Sequence, residues 1–149
     1  NIKTFNVATG DRFDKVYFLD TKHERIKNNS GGMHAVTIED IRKNSLSSSL
    51  YTKKYCIDMK RLDDLSINKF DIMLLDVEGR EYETIKGGIQ KISECMPILI
   101  IEIWGDQKRK LENMNTKKKD VINFIISKKY KLFKQINDNY IFFPKNLKI

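Results

Sequence analysis

The sequence predicts an α/β fold: a mostly parallel sheet that ends in an antiparallel C-terminal hairpin. Three observations carry this. Two nearly continuous apolar runs, Phe70–Leu75 and Ile98–Ile101, flank a stretch with helical periodicity, as a strand–helix–strand unit requires. Each run gives way to an acidic residue, Asp76 and Glu102. The closing residues read as two strands joined across an Asn/Asp turn.

The elements follow in order. Lys3–Ala8 alternates and meets a turn signal at Thr9-Gly10-Asp11, so it reads as a first strand. Lys15–Leu19 reads as a second. A long polar stretch from Asp20 to Ala35 contains Gly31-Gly32 and His34, and loops of that length are often functional. Ser45–Ser49 reads as an exposed connection. Tyr55–Met59 alternates as a strand, and Arg61–Leu65 looks like one helical turn. Between the two apolar runs, Glu81–Cys95 carries Tyr82, Ile85, Ile89 and Ile92 at helical spacing, which predicts one helix with one apolar stripe. Its flanking strands are expected to be parallel and buried on both faces. Val121, Ile122, Phe124, Ile125 and Ile126 give a second helix, with Asp120 in its first turn. Tyr130–Ile136 and Tyr140–Phe143 form the hairpin, and Pro144 ends it.

Composition narrows the function classes. The chain has 149 residues, 28 Lys and Arg against 20 Asp and Glu, and 40% hydrophobic residues. That length suits a single domain, and the apolar share is too high for a disordered chain. No apolar run approaches the roughly 20 residues of a membrane span. Cys56 and Cys95 are too few and too far apart for a disulfide framework or a zinc site, which favours a reducing, cytoplasmic setting. A net charge of +8 favours anionic partners without choosing among them. Glycine-rich phosphate loops, GxSxG and HExxH are absent. With two histidines, His23 and His34, no histidine-rich metal site is possible, and no aromatic RNA-binding motif is present.

In open α/β sheets ligands bind beyond the carboxyl ends of parallel strands. Asp76 and Glu102 hold that position. Such carboxylates hold a ribose or an amine, ligate a metal, or take a proton from a hydroxyl; equally, they cap helices or face water. Glu78 and Glu81 sit in the following turn, where carboxylates also favour a helix N-terminus. His34 is a candidate base on the long loop. Trp104 either walls a pocket or packs in the core. The Lys108-Arg109-Lys110 and Lys117-Lys118-Lys119 runs either steer an anionic substrate or form solvated faces, and the solvated face is the preferred reading.

At Asp76-Val-Glu-Gly-Arg-Glu-Tyr-Glu-Thr-Ile-Lys-Gly87 the chain resembles the FkbM-type family of S-adenosylmethionine-dependent methyltransferases, which carries D-x-E-G-x-E, a short helix ending in K-G, and an apolar strand ending in Glu. Arg61-Leu-Asp-Asp-Leu65 is similar to the family's T-L-D-D-L, Asn6-Val-Ala-Thr-Gly-Asp11 to its N-x-A-L-G-D, and Asn29-Ser-Gly-Gly32 to its Asn/Ser/Gly loop. The resemblance implies a Rossmann-like methyltransferase sheet and methyl transfer from S-adenosylmethionine to an oxygen, often on a sugar or glycan. It implies Asp76, His34 and Glu102 as catalytic candidates. Asn6, Ala8, Asp11, Asp76 and Glu78 become cofactor-binding candidates, and Gly31, Gly32, Glu81 and Trp104 substrate-binding ones. No metal is implied. The family's D-x-G-A-N-x-G motif is missing, so the N-terminal strands of such a sheet are expected to be missing too, and tight cofactor binding by these residues alone is not expected. The competing class is a non-catalytic α/β module that binds glycans or anionic partners.

Overall fold

The computed structural model describes residues 2–19, 35–43 and 51–147. Gly31, Gly32 and His34 therefore lie outside the described residues, as does the Ser45–Ser49 connection.

At the centre is the expected unit. Strand β5 (Ile72–Leu75) pairs in parallel with β6 (Ile98–Glu102), in the register Ile72↔Ile98 to Leu75↔Ile101. The single helix expected between them is two, α2 (Glu81–Gly87) and α3 (Ile89–Cys95). The break falls at Gly88. A side chain on Gly87 would lie 1.8 Å from the carbonyl oxygen of Gly10, and one on Gly88 would lie 2.6 Å from Leu62. Close docking therefore needs two successive glycines, each costing roughly 1 kcal/mol of helix propensity, and the helix divides there. Its stripe still holds: Ile85 and Ile92 are buried, and Tyr82 packs on Phe124 at 5.0 Å between ring centroids.

Downstream come α4 (Asp106–Leu111), a helix the sequence reading did not separate from its charged surroundings, and α5 (Lys118–Ser127). Asp120 accepts from the backbone N–H of Lys117, as a first-turn carboxylate should. The hairpin is β7 (Tyr130–Ile136) and β8 (Asn139–Pro144), turning through Asn137 at φ 54°. β8 pairs antiparallel with β6, giving the order β5-β6-β8-β7.

The upstream strands form a second sheet, correcting the expectation of one mostly parallel sheet. β1 (Ala8–Gly10), β2 (Asp14–Leu19), β3 (Val36–Thr37) and β4 (Tyr51–Arg61) take the order β1-β4-β2-β3. β1 is parallel to β4, whereas β2 is antiparallel to both β3 and β4. Both four-stranded sheets are thus mixed. Alternation identifies a strand but says nothing of its partner's direction. The alternating Lys3–Ala8 run makes almost no ladder: β1 starts only at Ala8, while Lys3 donates to the carbonyl of Ser66. The expected turn at Arg61–Leu65 is present as a 3₁₀ turn, Leu62–Asp64.

One core joins Leu75, Ile85, Ile92, Leu99, Ile101, Ile103, Val121, Ile125, Tyr130, Tyr140 and Phe142. Each fully buried aliphatic side chain there contributes roughly 1.5–3 kcal/mol. The expectation that β5 is buried on both faces fails. Leu75 faces the core, but Ile72 and Leu74 are 60% and 70% exposed. β5 ends the sheet order, so its other edge is unpaired among the described residues.

Candidate active site

The parallel register that pairs Leu75 with Ile101 sets the next two residues, Asp76 and Glu102, side by side at the carboxyl ends of β5 and β6. The Asp76 carboxyl is close enough to Glu102 to act on its ionisation. Asp76 is exposed and Glu102 half-buried. Burial pushes the Glu102 pKa up, and the neighbouring Asp76 and Glu78 push it further, against the pull of Lys108. Glu78 is raised by burial as well, with Lys108 opposing and Asp76 and Glu81 adding to the rise.

The turn after Asp76 fixes this arrangement. Arg80 N–H donates to the Val77 carbonyl at 3.3 Å, and the two central residues, Glu78 and Gly79, have φ of 51° and 96°. Successive positive φ values suit glycine and cost a residue such as Glu78 of order 1–3 kcal/mol. Gly79 has no room for a side chain: a Cβ would sit 2.8 Å from Met114 and 3.2 Å from the Trp104 ring. Trp104 is itself buried, and the Lys108 ammonium lies 3.5 Å from the centroid of its ring. Of the two roles open to Trp104, the structure shows packing beneath the turn.

Beneath the turn lies a buried ion pair. Glu81 and Arg109 are each 1% exposed, with Nη1 of Arg109 3.1 Å from Oε2 of Glu81. The other Glu81 oxygen accepts the Gly79 N–H at 2.7 Å, and Nη2 of Arg109 donates to the Gly79 carbonyl at 3.3 Å. Nε of Arg109 donates to the Thr116 carbonyl at 2.7 Å. Both Glu81 oxygens are therefore engaged within the chain. Arg109 departs from the expectation that its charge run is a solvated face: a buried carboxylate requires a buried cation.

A second arginine ties the turn to the upstream sheet. Arg80 donates to the Ala35 carbonyl at 2.8 Å and pairs with Asp40. Asp40 belongs to α1 (Ile38–Lys43), where it accepts from the amide and hydroxyl of Thr37 in a reciprocal cap. Burial works against ionised Asp40, but the Thr37 amide and Arg80 outweigh it and hold its pKa below the usual range.

The other candidates are more dispersed. Asp11 pairs with Lys86 at 2.8 Å, at the far end of α2 from the Asp76 turn. Asn6 is exposed and Ala8 half-buried. A surface hollow of about 640 Å³ lies beside α4, lined by Asp106, Arg109, Lys110 and residues 113–117, and does not include Asp76 or Glu102. Sequence reasoning missed Arg80, Arg109 and the position of Lys108 over Trp104. The available signal was that the turn's carboxylates need cations, and the adjacent run offered three. Among the described residues, no group of three or more His, Cys, Asp or Glu is arranged to hold a metal, and no helix is long and apolar enough to cross a membrane.

Residues 3–132 match the family model "Methyltransferase FkbM domain". A crystal structure of methyltransferase FkbM from Methylobacillus flagellatus KT is similar over 62% of this chain and 24% of that one, with 25% sequence identity and a TM-score of 0.42. No curated protein matches. With the family model covering most of its length, the chain belongs to the methyltransferase FkbM domain family.

Proposed function

We propose that this chain supplies the acceptor-activating part of an S-adenosylmethionine-dependent O-methyltransferase acting on a sugar or glycan hydroxyl. The observation that supports this most is the Asp76–Glu102 pair at the ends of two adjacent parallel strands. A carboxyl pair with one member's pKa raised is suited to accept a hydroxyl proton, a step that contributes about 10²–10⁴-fold. Bound S-adenosylmethionine supplies an electrophilic methyl group on a cationic sulfonium. The residues present suit that cation, since the Asp76, Glu78 and Glu102 carboxyls are near enough to raise one another's burden of negative charge, with Lys108 opposing them. On the nucleoside side the candidates are Asn6, Ala8 and Asp11, of which Asp11 is already paired with Lys86. The chain's own work is to orient the acceptor and receive its proton on Glu102 or Asp76, with Trp104 and the Glu81–Arg109 pair holding the turn rigid. His34, immediately before the Arg80-bound Ala35 in sequence, is the remaining candidate base, and Gly31 and Gly32 remain acceptor-binding candidates. The free cysteines, Cys56 and Cys95, support a reducing cytoplasmic location.

Calorimetric titration with S-adenosylmethionine, together with radiolabelled methyl transfer onto a panel of saccharides, tests this reading. Weak but saturable binding, with transfer that Asp76→Ala abolishes, is the expected result. Saccharide binding without cofactor binding or transfer would instead establish the non-catalytic binding module.

A further inference from the structure

The geometry points to Arg109 as a positioning residue that, with Glu81, clamps both polar groups of Gly79 and thereby holds the Asp76 and Glu102 carboxyl groups together. The inference rests on reading that pair as the proton-accepting site. Three observations carry it. The Gly79 N–H and carbonyl are bonded to Glu81 and Arg109 respectively, so this one residue of the turn is gripped from both sides. The gripping groups are bonded to each other and buried, so water does not compete with them. The turn they hold contains Glu78 in a left-handed conformation that the chain would otherwise relax.

Arg109 also joins the turn to α4. Its Nε bonds the Thr116 carbonyl, and the residue before it, Lys108, faces Glu78 and Glu102 while lying over Trp104. The helix thus presents one cation inward as a clamp and the adjacent one outward toward the carboxylates. Lysine at position 109 would keep the charge but lose the fork that reaches Glu81, Gly79 and Thr116 at once. If the clamp is released, the Val77–Arg80 turn relaxes and Asp76 moves away from Glu102.

The test is a site-resolved carboxyl titration by NMR on the whole chain. The groups facing Glu102 are Asp76, Glu78 and Lys108; Glu78 is also faced by Glu81 and Glu112. Asp76→Asn is introduced into the parent protein and into a Glu81→Met, Arg109→Met double variant. The double variant removes both buried charges together, which avoids the unfolding that an unpaired one invites. In the parent, Asp76→Asn is expected to lower the Glu102 midpoint, the signature of interacting sites. In the double variant, with native circular dichroism retained, the same change is expected to leave that midpoint unmoved. Arg109→Lys should fall with the double variant and not with the parent. An undiminished Asp76 effect in the folded double variant would overturn the clamp while leaving the proton-accepting pair standing. No Asp76 effect even in the parent would overturn both. Loss of the effect on unclamping supports the clamp whether or not methyl transfer is detected. If the double variant does not fold, Arg109→Lys alone decides by the same readout.

Discussion

Asp76 and Glu102 follow the last paired residues of two adjacent parallel strands. An acidic residue directly after an apolar strand is visible in the sequence, and the parallel register brings the two to neighbouring strand ends. Arg109 was not visible, because a guanidinium inside Lys108–Lys110 looks like any solvated charge until the burial of Glu81 is known. Glu102 binds its proton more tightly in the folded state, so it favours folding at low pH, and that contribution is lost as pH rises from the ordinary carboxyl range through its raised pKa. Asp40 behaves oppositely: its depressed pKa gives stability that is present at neutral pH and lost as pH falls through its folded pKa. Urea unfolding against pH should therefore show Asp40→Asn flattening the acid limb and Glu102→Gln removing the decline above it. Gly79→Ala should cost about 2 kcal/mol or more, read from the urea midpoint, because its positive φ and the Met114 and Trp104 contacts exclude a methyl group.

Among the elements, the helical period over Glu81–Cys95 was legible and its interruption was not. The period counts apolar residues, and Ile85 and Ile92 keep their stripe on either side of the break. What decides the break is the approach of Gly10 and Leu62 to Gly87 and Gly88, a contact between segments distant in sequence. The same contact predicts a large asymmetry in tolerance. Gly87→Ala must push the Gly10 backbone away and should cost roughly 3 kcal/mol or more, whereas Gly105→Ala, with open space at its Cβ, should change the unfolding midpoint little. Thermal unfolding of the two variants measures this directly. Strand direction in the upstream sheet was likewise beyond the pattern, since the antiparallel β2–β4 ladder depends on how the intervening chain returns.

Over the whole molecule, two mixed sheets share α2, which contacts β1 on one side and sends Ile85 into the core of the other sheet. That bridge places Arg80 between the Asp76 turn and Ala35, so the site borrows stability from both sheets. β5 retains the near-continuous apolar sequence of an interior strand while standing, among the described residues, at an edge, with Ile72 and Leu74 exposed. Edges of that kind promote self-association. Leu74→Lys should lower concentration-dependent association in sedimentation velocity while shifting stability by no more than about 0.5 kcal/mol.

Under the proposed function, the strand-end carboxyls receive the proton of the methylated hydroxyl. Measuring the rate of methyl transfer to a saccharide against pH, for the parent and Glu102→Gln, tests it most directly. The expected parent rate rises with pH as Glu102 gives up its proton, then levels off, and the Glu102→Gln rate is about 10²–10⁴-fold lower without that rise. Equal rates with the same pH profile in both proteins would contradict it.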